Sequence, residues 1–597
     1  MKKQKIIIYQ VLIRLFGIQQ NNFIPWGTLE ENGVGKMSDF THEALQAIKD
    51  LGITHIWYTG ILHHAVIRDY SVYGISHDHP TVVKGRAGSP YAVKDYYSVD
   101  PDLAIDPANR MEEFEQLVGR THQAGLKVII DIVPNHVARH YHSIGKPAGT
   151  EDFGFSDDTN VEYQRDNNFY YVPGKSFELP EWKNGYQPLG GRSWPVDLEN
   201  YVENPAKWTG NDCRLHQPGF YDWYETVKLN YGVKPDGSHD FVGLPDNFYV
   251  EDAETHYSFW QQEEVPDTWK KMKEIALFWL GKGVDGFRFD MAEMVPIPFW
   301  SYLNSSIKHY YPNTLLIAEV YQPQRYEDFI FRAKMDLLYD KVDLYDTLRN
   351  IINGKANCHD IFPVTDRLYG LADHLLHFME NHDEDRIAGP AFAGEATSAV
   401  PAMVVSACLD KGAVMVYFGQ ECGEKADESA GFGGSGKTSI FDYIRVSKLQ
   451  QWINGGRFDG GQLDQSTIKL RDFYQKLLNF CLESDALKGA FYDLHRHNAG
   501  LSSWVRWDKL YVFARYTDQD KILIISNFDR EKNLDFRLSV YFDLINRWQL
   551  KPGRYLLTDQ LDDKITFTLV VEDNHSFVDV FVEKSKALIL KVMSGGI

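Results

Sequence analysis

At 597 residues the chain is too long for one hydrophobic core, so several domains are expected. Its 62 basic and 83 acidic side chains leave a net charge of −21, which argues against the basic surface that a nucleic-acid backbone requires. Five scattered cysteines (Cys213, Cys358, Cys408, Cys422 and Cys481) lack CxxC spacing, so neither a disulfide framework nor a zinc site follows from them. Reduced thiols in a cytoplasmic protein are the expectation.

The chain opens on lysines and an apolar run, but Arg14 interrupts that run and no small-residue cleavage site follows. Residues 6–15 therefore read as a first buried strand, and no later run is long enough to span a membrane. Phe40, Ala44, Leu45, Ile48 and Leu51 then recur at helical spacing, with Gly52 as the stop and a strand at 53–58. The cycle repeats with Met111, Phe114, Leu117 and Val118, then Gly125 and a strand at 127–133. It repeats again with Trp269, Met272, Ile275, Ala276 and Trp279, then Gly281 and a strand at 286–290. Further strands fall at 315–319, 335–339, 375–380 and 413–418, with helical stretches between them. Eight strands alternating with helices predict an α/β fold, a closed (β/α)8 TIM barrel.

Two stretches break the rhythm. Residues 137–265 are rich in Asp, Asn, Gly, Pro and aromatics without a helical period, and they read as a domain inserted after the third strand. After residue 487 the pattern turns to short alternating runs at 510–516, 522–527, 567–571, 576–582 and 587–592, which predicts a C-terminal antiparallel β-sandwich. The expected organisation is thus barrel (1–136), insertion (137–265), barrel (266–487) and sandwich (488–597).

Chemistry in such a barrel sits at the C-terminal strand ends. There the sequence places Asp131 with Asn135-His136, Arg288 with Asp290, Glu319, and Asn381-His382-Asp383. Within the strand 286–290, Arg288 and Asp290 share one face and Phe287 and Phe289 the other. A single Asp after a strand is most often a cap or a satisfied loop residue. Several buried carboxylates at one mouth are costly unless they are used. Glycosidic cleavage is the chemistry that needs paired carboxylates and no cofactor.

Asp131-Ile-Val-Pro-Asn135-His136, Gly286-Phe-Arg288-Phe-Asp290, Ala318-Glu319-Val and Glu380-Asn-His382-Asp383 resemble, in order and spacing, the four signature regions of the α-amylase family of glycoside hydrolases. Ser89-Pro90-Tyr91 and Tyr417-Phe-Gly-Gln-Glu421 are similar to further family segments. The resemblance covers essentially the whole chain. It implies that Asp290 is the nucleophile, Glu319 the general acid/base and Asp383 a third carboxylate that binds sugar hydroxyls. Arg288 would orient the nucleophile, His136 and His382 would bond the sugar, Tyr91 would stack beneath it, and Arg386 would lie near the same subsite. Asp131 and Asn135 would be architectural. A retaining hydrolase of α-glucans or malto-oligosaccharides is implied, with a glucanotransferase or an inert carbohydrate-binding barrel as alternatives.

The chain departs from that pattern at Glu293-Met294, where typical relatives carry Lys-His on the leaving-group side. The loop Gln19-Gln-Asn-Asn22 also lacks the aspartates of a calcium loop. Asn135 could still join a structural Ca²⁺ with oxygens near Asp157-Asp158. Gly431-Phe-Gly-Gly-Ser-Gly436-Lys437-Thr438 satisfies the P-loop pattern, yet no strand precedes it and no helical face follows, so no nucleotide is expected. His63, His64, His77 and His79 lack metal-ligand spacing and suggest loop hydrogen bonding or substrate contact. Trp182, Tyr186, Trp194, Trp208 and Trp223 suggest packing more than sugar stacking.

Overall fold

The computed structural model describes residues 4–20, 23–194, 200–426, 430–432, 436–501, 505–573 and 575–596. Eight parallel strands close a barrel: β1 (Ile7–Leu12), β2 (His55–Thr59), β3 (Lys127–Ile132), β4 (Gly286–Phe289), β5 (Leu315–Ala318), β6 (Leu337–Tyr339), β7 (Leu375–Phe378) and β8 (Ala413–Tyr417). Each strand pairs with its sequence neighbours, and β1 pairs with β8 to close the ring. Trp57, Ile129, Ile317, Leu337, Tyr339 and Met415 fill the interior. The alternate residues, including Tyr9, Val11, Phe287 and Phe289, face the surrounding helices. Arg288 is therefore inward, opposite Asp131 in the β3–β4 register.

The first strand is shorter than expected. It ends at Leu12, and Ile13–Phe16 form a helical turn. That turn buries Arg14, whose guanidinium donates to the carbonyls of Ala87 and Ile440 at 2.5 and 2.7 Å. Three loops are tied at this point, which explains a charged residue inside an apolar run.

The insertion is held to the barrel by a short antiparallel pair, His136–Ala138 against Thr226–Lys228. Its end contains a helix that the sequence period does not reveal, Ala253–Trp260, capped by the Asp252 side chain. His256 and Trp260 of this helix both bond the Ser301 hydroxyl at 2.8 Å, so it packs on the helix Ile297–Tyr310 that follows β4. Most of the flagged aromatics are packing groups: Trp208 stacks on Tyr170 at 4.4 Å, and Trp182 contacts Tyr186 and Tyr224.

C-terminal to the barrel, eight strands form one antiparallel sheet: β9 (Ala490–Asp493), β10 (Leu510–Tyr516), β11 (Lys521–Asn527), β12 (Leu534–Ser539), β13 (Gly553–Asp559), β14 (Thr566–Val571), β15 (Ser576–Val582) and β16 (Lys586–Gly596). The order is β9-β10-β11-β16-β13-β14-β15-β12. Residues from both ends of the sheet, such as Val512 and Phe536, enter one core, so the sheet folds over itself as a sandwich. Among the described residues no helix is long and apolar enough to cross a membrane.

Candidate active site

Arg288 is fully buried at the C-terminal end of β4 and organises the mouth. Its Nη1 donates to Asp290 Oδ1 at 2.8 Å and to Asp131 Oδ1 at 3.3 Å. Its Nη2 lies 2.9 Å from Glu319 Oε2, and Nε donates to the Tyr339 hydroxyl at 3.1 Å. One guanidinium thus bridges carboxylates from three adjacent strand ends, while Trp57 and Tyr339 flank it at 5.3 Å from each ring centre. Trp57 Nε1 also donates to Asp131 Oδ2 at 2.8 Å, which fixes that carboxylate as part of the wall.

Burial pushes the Asp290 carboxyl well above its ordinary range, Arg288 opposes this, and the neighbouring Glu319 adds to the rise. Burial likewise raises Asp131 against the pull of Arg288. Without its cation the cluster could not hold its negative charge. Met291, with φ of 46°, takes a left-handed turn directly after Asp290. The turn aims its N–H at Glu319 Oε2, 2.7 Å away. A left-handed conformation is uncommon for a non-glycine residue, and here it supplies a donor to a catalytic candidate.

Asp383 is the most open of the carboxylates, with 44% side-chain exposure. Desolvation works against its ionisation, but His382, whose Nε2 is 2.9 Å away, holds it down at about 2. His382 Nδ1 accepts from Gln10 Nε2 at 2.8 Å, so Nε2 carries the proton and points to Asp383 and to the Tyr91 hydroxyl at 2.6 Å. Tyr91 stacks on His382, with ring centres 5.1 Å apart. His136 is held neutral, pushed to about 3 by burial and by the nearby Lys228, and its ring meets Trp223 edge-on at 5.3 Å.

Arg386 is placed differently. It is fully buried, donating to Glu380 Oε2 at 2.8 Å, to the Phe418 carbonyl at 2.9 Å and to Thr438 Oγ1 at 2.8 Å. These contacts brace the segment Asn381–Asp383 against β8, and among the described residues none bonds Nη2. It reads as a support for Asp383 rather than as a wall of the subsite.

Asn135 faces Lys228. The Lys228 ammonium donates to Asn135 Oδ1 at 2.5 Å and pairs with Asp212 Oδ1 at 3.1 Å, while Asn135 Nδ2 donates to the Gly210 carbonyl at 2.8 Å. Asp157 accepts from the N–H groups of Asn168 and Phe169 and from the Tyr171 hydroxyl, and Asp158 accepts from Asn160. These donors do not fit a calcium ion, which takes six to eight oxygens at about 2.3–2.6 Å. The one side-chain oxygen Asn135 offers already holds a cation, and the two aspartates are occupied elsewhere.

The P-loop-like stretch lies after β8, with residues 433–435 outside the described set, as are 21 and 22 of the first loop. No strand directly precedes its described part, and the next helix begins at Ser447. Lys437 donates to the Asp383 carbonyl, and Thr438 Oγ1 accepts from Arg386, so both are committed to the mouth. His63 and His64 lie on a short strand, Leu62–His64, with His64 2.9 Å from Asp100. Among the described residues no group of three metal-binding side chains assembles. The contributions of Gln10, Trp57 and Tyr339 carry no sequence signal of their own, since each is an ordinary strand residue until the barrel closes.

A family model for the alpha amylase catalytic domain matches residues 28–231 and 246–507. Alpha-amylase 3 of Dictyoglomus thermophilum is 23% identical over 74% of this chain and 75% of its own length. Maltase A1 of Drosophila melanogaster is 24% identical over 43% of this chain and 31% of its own length. The alpha-amylase structure from H. orenii superposes with a TM-score of 0.60 at 18% identity, covering 99% of this chain and 100% of that one.

Proposed function

Because the chain belongs to the alpha-amylase family and is a glycoside hydrolase of it, we propose that it cleaves α-glucosidic bonds in malto-oligosaccharides or α-glucans with retention. The observation that carries this reading is the single guanidinium of Arg288 contacting both Asp290 and Glu319. That shared partner draws the two carboxylates toward one another, which supports the close pairing, about 5 Å, that a retaining mechanism needs.

Asp290 attacks the anomeric carbon as the glycosidic C–O bond breaks, and Glu319 gives its proton to the leaving oxygen. Arg288 engages Oδ1 of Asp290, so Oδ2 is the oxygen available to attack. Glu319, now ionised, takes a proton from water, and the hydroxide oxygen displaces Asp290 to restore the starting configuration. Asp383 and the His382 N–H bond sugar hydroxyls, and Tyr91 lies beneath the ring. Incubation with α-1,4, α-1,6 and α,α-1,1 glucosides tests the substrate class. Hydrolysis of maltotriose to glucose and maltose is expected, whereas accumulation of longer oligosaccharides would mark a glucanotransferase. Binding of maltodextrin without turnover at any pH would overturn the enzymatic reading. Five free cysteines, four of them buried, support a reducing, cytoplasmic location.

We further propose that the Lys228 ammonium ties the insertion to the barrel beside His136 without calcium. Chelation with EDTA is then expected to leave the unfolding temperature and the activity unchanged. Lys228→Met is expected to destabilise the protein by about 1–3 kcal/mol, the price of stranding a buried Asn135 oxygen. A fall in unfolding temperature on chelation that calcium reverses would contradict this.

A further inference from the structure

The two oxygens of Glu319 stand in different surroundings. Oε2 receives the Met291 N–H at 2.7 Å and lies 2.9 Å from Arg288 Nη2. A proton on Oε2 would confront two donors. Among the described residues Oε1 has a single hydrogen-bond partner, the Tyr321 hydroxyl, at 2.6 Å. Tyr321 stands two residues beyond Glu319 and is itself held from the preceding strand's loop. Its backbone N–H donates to Glu293 Oε2 at 3.0 Å, and the Glu293 carbonyl accepts from Arg325 Nη1 at 2.7 Å.

We infer that Oε1 is the oxygen of Glu319 that carries the transferred proton, that Tyr321 positions it, and that Glu293 acts on it by fixing the backbone that presents the phenol. A hydroxyl both donates and accepts. Tyr321 donates to Oε1 when Glu319 is ionised. When Glu319 is protonated, the phenol turns to accept, or yields its place to the glycosidic oxygen. In the first step the Oε1–H bond breaks and the proton passes to that leaving oxygen. In the second step Oε1 takes a proton from the attacking water and the Tyr321 contact re-forms. Glu293, at the position where typical relatives carry lysine, thus becomes part of the proton-donor apparatus. The charged and titratable groups around Glu319 and Tyr321 are Arg288 in β4, Asp290 just after it, Asp131 from β3, Tyr339 from β6, and Asp383 after β7. Among the described residues, only Tyr321 bonds to Oε1.

This inference rests on the assignment of Glu319 as acid/base, and the test separates the two. The probes are maltotriose, whose leaving group needs a proton, and 2,4-dinitrophenyl α-glucoside, whose leaving group does not. Tyr321→Phe is expected to lower kcat on maltotriose about tenfold, the worth of one hydrogen bond to a charged group. It should also move the alkaline limb of the pH profile upward, because a donor to the ionised carboxylate is lost. The pre-steady-state burst of dinitrophenol should keep its rate within about twofold, as no proton is needed for that step. Glu293→Ala should follow Tyr321→Phe in direction, and Glu293→Gln, which keeps an acceptor for the Tyr321 N–H, should restore most of the activity. Equal losses on both substrates with the alkaline limb unmoved would overturn the inference and leave a structural role. Glu319→Gln tests the underlying assignment: maltotriose turnover should vanish while the dinitrophenol burst persists. Retained maltotriose turnover in that variant would sink the assignment itself.

Discussion

Arg288→Ala is expected to abolish turnover at neutral pH and to destabilise the barrel by about 3–5 kcal/mol, the range for removing one partner of a buried ion pair. Arg288 is the only cation in contact with Asp131, Asp290 and Glu319 among the described residues. Without it, three carboxylates face one another in a desolvated mouth. Burial and mutual repulsion already push Asp290 upward, and Arg288 is what opposes them. The variant's nucleophile would therefore stay protonated to a higher pH, so residual activity should rise with pH and the acid limb of its profile should shift upward. Arg288→Lys should rescue little, because an ammonium cannot reach Asp290 and Glu319 through two separate nitrogens while bonding Tyr339 through a third. Urea unfolding and kcat/KM between pH 5 and 9 read both effects. Normal activity with an unshifted acid limb would show that the guanidinium is only a structural plug.

Asp290→Asn removes the nucleophile while keeping the shape of the site and a hydrogen-bond acceptor for Arg288 Nη1. Turnover of malto-oligosaccharides should fall by about 10⁴-fold or more, as when a member of a concerted catalytic set is lost. Stability should change far less than in Arg288→Ala, since an amide needs no cation to be buried. The contrast between the two variants separates chemistry from support. Substrate affinity should survive in Asp290→Asn, because Asp383, His382 and Tyr91 are untouched, so isothermal titration with maltotriose should still register binding.

The barrel was legible because hydrophobic period and glycine stops mark its strands and helices, and because an Arg-Asp face between two phenylalanines has few explanations. That alternation puts Arg288 and Asp290 on one face, and the strand register then sets Arg288 opposite Asp131. Other features were hidden for identifiable reasons. The helix Ala253–Trp260 orients its polar His256 inward to Ser301, so an apolar stripe does not announce it. Strands β9, β12 and β13 escaped because they are short or carry charges on their outer faces, as Asp535 and Arg537 do on β12. Lys228 reads as an exposed lysine in sequence, and only the pairing of His136 with Lys228 brings its ammonium to Asn135. The family resemblance places Arg386 near the subsite, and in the folded chain Glu380 lies beside it and takes its guanidinium. Glu293 looked like a departure that removed a function. In the folded chain it reaches across to the next strand's loop and bonds Tyr321.

If Asp290 forms a covalent bond to the sugar, that adduct can be trapped. A 5-fluoro-α-glucosyl fluoride slows the second step while its fluoride leaves without needing a proton. Peptide mass spectrometry of the inactivated enzyme is expected to place one glycosyl group on the peptide containing Asp290, with maltose protecting against labelling. Steady turnover of the reagent with release of the inverted sugar, or a label on any carboxylate other than Asp290, would show that Asp290 is not the nucleophile.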